Sequence, residues 1–209
     1  MSTSRRAAGL GLLAYGLGTP AAFMAIGSPG GNYDDSQVAA YISRGHWATA
    51  FVLAYLGAFA ALGLLAFGMR MREELGSAGR TVWGLSVAAT TAGVVGWFLV
   101  GGVAVAAAEG GSAVATVPHP VIYTLTEMSN LVAVCASAFL VGVTALVLAA
   151  RARLSTALRV VTAIAGVCGV VGPVFFPIFL FWLWAIGFGI YLTATRSRRP
   201  EPMIEVQPV

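Results

Sequence analysis

Lysine is absent from this chain of 209 residues, and charge of any kind is scarce, at 10% of residues against 58% hydrophobic. An average soluble domain is about 25% charged, so a water-facing surface over the whole chain is excluded. All twelve basic residues are Arg, a usage expected of a GC-rich bacterial genome. The net charge of +4 is not laid out as a nucleic-acid interface, because the Arg residues stand in small groups beside apolar runs. No nucleic-acid partner is expected.

Cysteine is limited to Cys135 and Cys168, both inside apolar runs and far apart. A disulfide framework or a zinc site is poorly served by that pair, and both read as small core residues. Histidine is limited to His46 and His119, too few for the four ligands of a transmembrane diheme centre. There is no Gly-x-Ser-Gly and no His-Glu-x-x-His helix. Glu73-Glu74 with Arg80 has the wrong spacing and setting for the Glu-Glu…Arg signature of intramembrane prenyl-type proteases. No catalytic residue, cofactor or metal site is therefore read from motif.

Ionisable groups are also missing from the middle of the runs. Such groups cost about 2.5–3.5 kcal/mol on insertion scales and are kept there for a purpose, so a proton-coupled carrier is disfavoured. The polar groups read at depth are hydroxyls, among them Thr90, Thr91, Ser137, Thr144 and Thr162. They are expected to bond neighbouring backbone carbonyls.

What the chain has in quantity is long apolar runs with Arg at their ends. Arg5 and Arg6 precede the first; Arg70, Arg72 and Arg80 follow the second; Arg151, Arg153 and Arg159 follow the fourth; Arg196, Arg198 and Arg199 follow the last. Short Arg-rich loops stay cytoplasmic, so these clusters are expected on the inner side. A spanning helix needs about 20 apolar residues. The runs predict an all-α integral membrane bundle over 1–195, with six helices at about 7–27, 47–69, 81–108, 120–150, 158–172 and 176–195. Both termini are cytoplasmic, and 196–209 is a disordered tail. The first run is read as a retained span rather than a signal cleaved near Ala25-Ile26-Gly27. Region 158–195 is divided at Gly172-Pro173, because as one helix its 38 residues would reach about 57 Å. Shifting the chain by 81 residues lays Arg70 and Arg72 on Arg151 and Arg153, a weak sign of duplication.

Ser28-Pro29-Gly30-Gly31 predicts a turn. Asp34 or Asp35 then caps a short amphipathic helix carrying Val38, Tyr41 and Ile42, expected to lie on the outer surface and to end at Gly45. Gly110-Gly111 predicts a mobile connection. Gly84, Ala88, Ala92 and Gly96 form a small-residue stripe expected to pack, as do Ala54, Ala58 and Leu62, and Gly57 with Ala61. The aromatics of the last run, Phe175 to Tyr191, are assigned to lipid contact and interfacial anchoring.

Counting back from the Arg clusters puts His46 and Glu127 each about 36 Å above the inner side, in the outer headgroup zone. A shared outer-face site of His46 and Glu127 is the sharpest local expectation, with His119, Tyr123 and Glu109 as further members. The run spacing, and segments such as Gly45-His46-Trp47 opening the second run, resemble the small six-helix bacterial inner-membrane proteins grouped as domains of unknown function. That resemblance covers about 5–195. It implies a multi-pass bundle in a bacterial inner membrane, and no activity or site residues. Three functions are in view. The first is a non-catalytic accessory or structural protein that binds membrane lipid, another membrane protein or itself. The second is a transporter or flippase for an apolar or amphipathic molecule. The third is an outer-face lipid-directed enzyme using His46, Glu127 and His119.

Overall fold

The computed structural model describes residues 4–27, 34–42, 44–109, 116–172 and 176–195. Seven helices carry them: α1 Arg5–Ile26, α2 Asp35–Tyr41, α3 Arg44–Glu74, α4 Ser77–Glu109, α5 His119–Arg151, α6 Thr156–Val170 and α7 Pro177–Ala194. No strand occurs among the described residues. The expected turn at 28–31, the Gly110-Gly111 connection, Pro173, the last Arg cluster and the 196–209 tail lie outside them.

Five helices are long and apolar enough to cross a membrane: α1, residues 46–74 of α3, residues 77–106 of α4, α5 and α7. The chain is thus all-helical and suited to a multi-pass membrane bundle. The 15 residues of α6 reach about 22 Å, short of a ~30 Å hydrocarbon core.

Local chemistry sets the helix ends. Ser4 caps α1 by accepting from the Ala7 amide at 3.1 Å, and Ser155 caps α6 by accepting from the Leu158 amide at 3.4 Å. Gly76, at φ 56°, makes the left-handed turn between α3 and α4, where a side chain would be strained. Asp34 caps α2, accepting from the Ser36 amide at 2.8 Å and the Ser36 hydroxyl at 2.7 Å. Those bonds hold the Asp34 carboxyl below its ordinary range.

The six longer helices close a ring. α1 packs between α3 and α7, α4 lies on α3, α5 lies between α4 and α6, and α6 returns to α7. Tyr15 crosses the ring, with its hydroxyl 3.0 Å from that of Ser137 on α5. Glycines set the closest approaches. A Cβ on Gly11 would overlap the Gly63 carbonyl, and one on Gly63 the Gly11 carbonyl; Gly96 meets the Ala133 backbone in the same way.

Three packing expectations are corrected. A Cβ on Gly84 would meet no other helix within 4 Å, and Ala88 is exposed. The buried face of α4 runs instead through Val82, Ser86, Ala89, Thr90, Gly93, Gly96, Trp97 and Val100. Alanine and glycine are small on either face, so composition alone did not orient the helix. On α3, Ala54, Gly57, Ala58 and Ala61 are buried and Leu62 is exposed. On α7, Phe181, Trp182, Trp184 and Phe188 are core, while Phe176, Phe179 and Tyr191 are exposed. Trp184 donates to the Thr162 hydroxyl at 3.1 Å and ties α7 to α6.

Candidate functional site

Two polar regions occupy opposite ends of the bundle. The first lies around Tyr41 of α2, beside His46. The His46 ring lies 4.7 Å from that of Tyr41. Its Nε2 stands 2.7 Å from the Ile26 carbonyl; a carbonyl only accepts, so Nε2 carries the proton. Nδ1 is buried with no partner among the described residues.

Tyr41 is the hub. It lies within electrostatic reach of Glu127, and its hydroxyl faces Thr126 without reaching hydrogen-bond geometry. The Thr126 hydroxyl itself donates to the Ile122 carbonyl at 2.9 Å. Burial, and secondarily the Glu127 charge, push the Tyr41 phenol up to about 12, so it stays protonated at neutral pH.

His46 therefore packs on Tyr41, while Glu127 acts on Tyr41 through its charge. His119 is engaged by Asp35, with Nδ1 2.6 Å from Oδ1, which pins the first turn of α5 to the first residue of α2. Tyr123 is half-buried one turn before Glu127, and Glu109 is exposed at the end of α4. Among the described residues no group of three His, Cys, Asp or Glu is placed to hold a metal ion.

Two expectations about α2 change here. Val38 and Tyr41 are buried against protein, so its apolar face is a plug between α3 and α5 rather than a membrane-surface contact. Gly45 lies inside α3 and does not end α2. The spacing that marked the apolar face was legible. What it would pack against was not.

Sequence reasoning also missed Asn130. It is buried, at 6% exposure, and its Nδ2 has no partner among the described residues. It immediately precedes Leu131–Ala136, where α5 winds as a π-helix, a geometry frequent at functional sites. The signal was available, since Asn130 is the only amide side chain within the apolar runs. Four of the five hydroxyls behave as expected: Thr90, Thr91, Ser137 and Thr144 donate to backbone carbonyls of their own helices at 2.8–3.0 Å, while the bond described for Thr162 is the one it accepts from Trp184.

The second region was read only as a set of topology markers. The start of α1 and the ends of α3, α5 and α7 meet around a cavity of about 430 Å³. Arg5, Arg70, Arg151 and Arg153 line it with the single carboxylate of Glu74. One oxygen of Glu74 accepts from Arg5 Nε at 2.6 Å and from Arg70 Nη2 at 2.7 Å. Arg70 also reaches Glu73 at 3.1 Å. Arg151 and Arg153 have no carboxylate partner among the described residues, which therefore give the cavity an excess of positive charge.

Beside it, Leu158, Val161 and Ile164 of α6 face Leu183, Trp184 and Phe188 of α7 across an apolar groove of about 440 Å³. Phe188 lines both the cavity and the groove. No family model, no curated protein and no solved structure matches this chain.

Proposed function

We propose that this chain is a non-catalytic, multi-pass protein of a bacterial inner membrane that binds a membrane lipid or partner within the bilayer. The observation that carries this reading is the open α6–α7 groove. α6 is drawn tightly onto α5, where a Cβ on Gly142 would lie 2.8 Å from the Gly166 carbonyl. Toward α7 it diverges, leaving Val161 52%, Ile164 55% and Leu183 65% exposed along the groove. In a bilayer such a cleft is filled by acyl chains or by another helix.

The test is purification of the full chain in mild detergent, followed by identification of co-purifying lipids and proteins. A stoichiometric lipid or protein is expected. Recovery of the chain with neither would remove the reading.

In the same proposal, α6 completes six crossings and the Arg clusters face the cytoplasm. Arg5, Arg70, Arg151 and Arg153 share one end of the bundle, in keeping with the charge rule for short loops. Periplasmic reporters fused after Gly31 and Ser112 are expected to be active, and those after Gly76 and Arg199 inactive. Inactivity of a fusion at Gly172 would reduce the count below six.

A second reading, a flippase or transporter for an amphipathic molecule, draws on one observation. A buried amide whose Nδ2 has no partner among the described residues, beside a π turn, gives α5 a polar point at depth. Translocation of a labelled lipid in vesicles containing the purified chain, lost in Asn130→Leu, would favour it over the binding reading.

A further inference from the structure

Resting on the lipid-binding reading above, we infer that the Arg-lined cavity and the α6–α7 groove form one site for a single anionic phospholipid. Its phosphate sits among Arg5, Arg70, Arg151 and Arg153, and an acyl chain lies between α6 and α7.

Three observations converge on this occupant. The first is charge. Four guanidiniums face one lining carboxylate, and Glu73 and Glu74 are consumed by Arg5 and Arg70. Among the described residues that leaves Arg151 and Arg153 without a carboxylate and open to an external anion. The planar guanidinium fork matches phosphate oxygens in bidentate fashion, and basic pockets between transmembrane helices hold anionic headgroups.

The second is continuity. Phe188 lines both spaces. Leu154, in the link before α6, lines the cavity, and Leu158, in the first turn of α6, lines the groove. The groove therefore opens at the Arg cluster, and an anion there is joined directly to an apolar path. From Leu158 to Ile164 that path runs about 9 Å along α6 at 1.5 Å per residue, away from the charged end.

The third is composition along the path. Between the Arg cluster and the far end of the groove the lining is aliphatic and aromatic, which suits an acyl chain. A free phosphate would use only the charged end. A partner helix would use only the groove and leave Arg151 and Arg153 unmatched.

The experiment uses the full chain reconstituted in phosphatidylcholine vesicles with or without phosphatidylglycerol, then extracted in mild detergent. Retained lipid is measured by native mass spectrometry. The wild type is expected to retain phosphatidylglycerol in clear preference to phosphatidylcholine. Arg151→Gln/Arg153→Gln is expected to lower that preference by about 30-fold, from about five-fold for each guanidinium beside a headgroup.

Gly187→Leu tests the other half. Gly187 lines the groove and a Cβ there meets nothing within 4 Å, so the helix tolerates it while the groove fills. Lower retention of phosphatidylglycerol is expected. An unchanged amount would overturn the acyl-chain half. Inorganic phosphate added to lipid-stripped protein is the remaining arm. Displacement of phosphatidylglycerol by phosphate alone at low concentration would assign the cavity to a free anion and overturn the lipid site. Equal retention of both lipids, unaffected by the Arg variant, overturns this inference and leaves the broader binding reading standing. Loss of all lipid and all partners removes that broader reading instead.

Discussion

Gly63→Ala is expected to destabilise the bundle, although alanine is the better helix former. The same change at Gly84 is expected to be neutral or stabilising. Glycine in a helix interior is about 0.8–1.0 kcal/mol less favourable than alanine, so propensity favours both variants. Packing separates them. An added Cβ at Gly63 would overlap the Gly11 carbonyl, and the reciprocal overlap at Gly11 shows that the backbones of α1 and α3 already touch. Neither side has a flexible side chain to yield. The adjoining contacts are equally close, with a Cβ on Gly18 2.6 Å from that of Ala60 and one on Gly9 2.6 Å from the Gly189 carbonyl. α1 is therefore held on both sides and cannot shift without loosening α3 or α7.

Overpacking a filled core costs about 1–3 kcal/mol. In a membrane the penalty falls on van der Waals contact, which is the main force between helices there. The upper end is appropriate for backbone against backbone. About 3 kcal/mol corresponds to a fall of about 6–12 °C in Tm for a chain of this size. A Cβ on Gly84 would meet nothing from another helix within 4 Å, and the propensity gain stands alone. Thermal unfolding of both variants in one detergent decides the matter. If Gly63→Ala melts with the wild type, the close α1–α3 crossing is not a determinant of the fold.

The contrast between these two glycines also shows what the sequence could and could not reveal. Helical content and the presence of several helices long and apolar enough to cross a membrane were legible, because run length and scarce charge are one-dimensional signals. The facing of each helix was harder. In water a polar stripe marks the outside; in lipid both faces are apolar, and Gly84 looks like Gly63. Pairwise geometry between distant segments was harder still. Arg5 meets Glu74 across 69 residues and His119 meets Asp35 across 84, and no local pattern encodes either pair. The basic cavity is the same case: its Arg residues were seen individually as topology markers, while their convergence depends on four helix ends meeting. At the opposite end, the reading of His46 and Glu127 came from counting along α3 and α5. It could not supply Tyr41, which comes from α2, packs on His46 and feels the charge of Glu127. Asn130 was a different kind of miss. An amide in an apolar run is visible in the sequence, and only the unpartnered state of its Nδ2 required the fold.

Trp97 and Asn130 lie in the packed interior near the middle of the chain, and opposite effects are expected from removing them. Trp97 is fully buried and its ring fills the notch left by Gly57, where a Cβ would overlap the indole. Trp97→Ala opens a cavity that α3 and α4 cannot close, because the neighbouring contacts at Gly68–Ser86 and Gly93–Ala61 already hold the two helices together. Phe or Trp to Ala costs about 3–5 kcal/mol in soluble cores. The lower end applies here, since lipid offers the unfolded helices comparable dispersion contacts, and a Tm fall of about 6–12 °C follows. The indole N–H has no partner among the described residues, so Trp97→Phe forfeits ring volume but no hydrogen bond and is expected to fall between wild type and Trp97→Ala. Asn130 differs in sign. An unpaired buried donor costs about 1–3 kcal/mol; leucine shares the branched outline of asparagine and removes that cost, and its bulkier methyl ends offset part of the gain. Asn130→Leu is expected to raise Tm by about 2–4 °C, at about 1 kcal/mol. A fall in Tm for Asn130→Leu would show that the amide is satisfied in the bilayer and structural. A rise means that α5 carries, beside its π turn, a polar group that weakens the fold where it stands. That outcome directs functional assays to this turn, since strain and unsatisfied polarity persist at such positions when they serve a purpose other than stability.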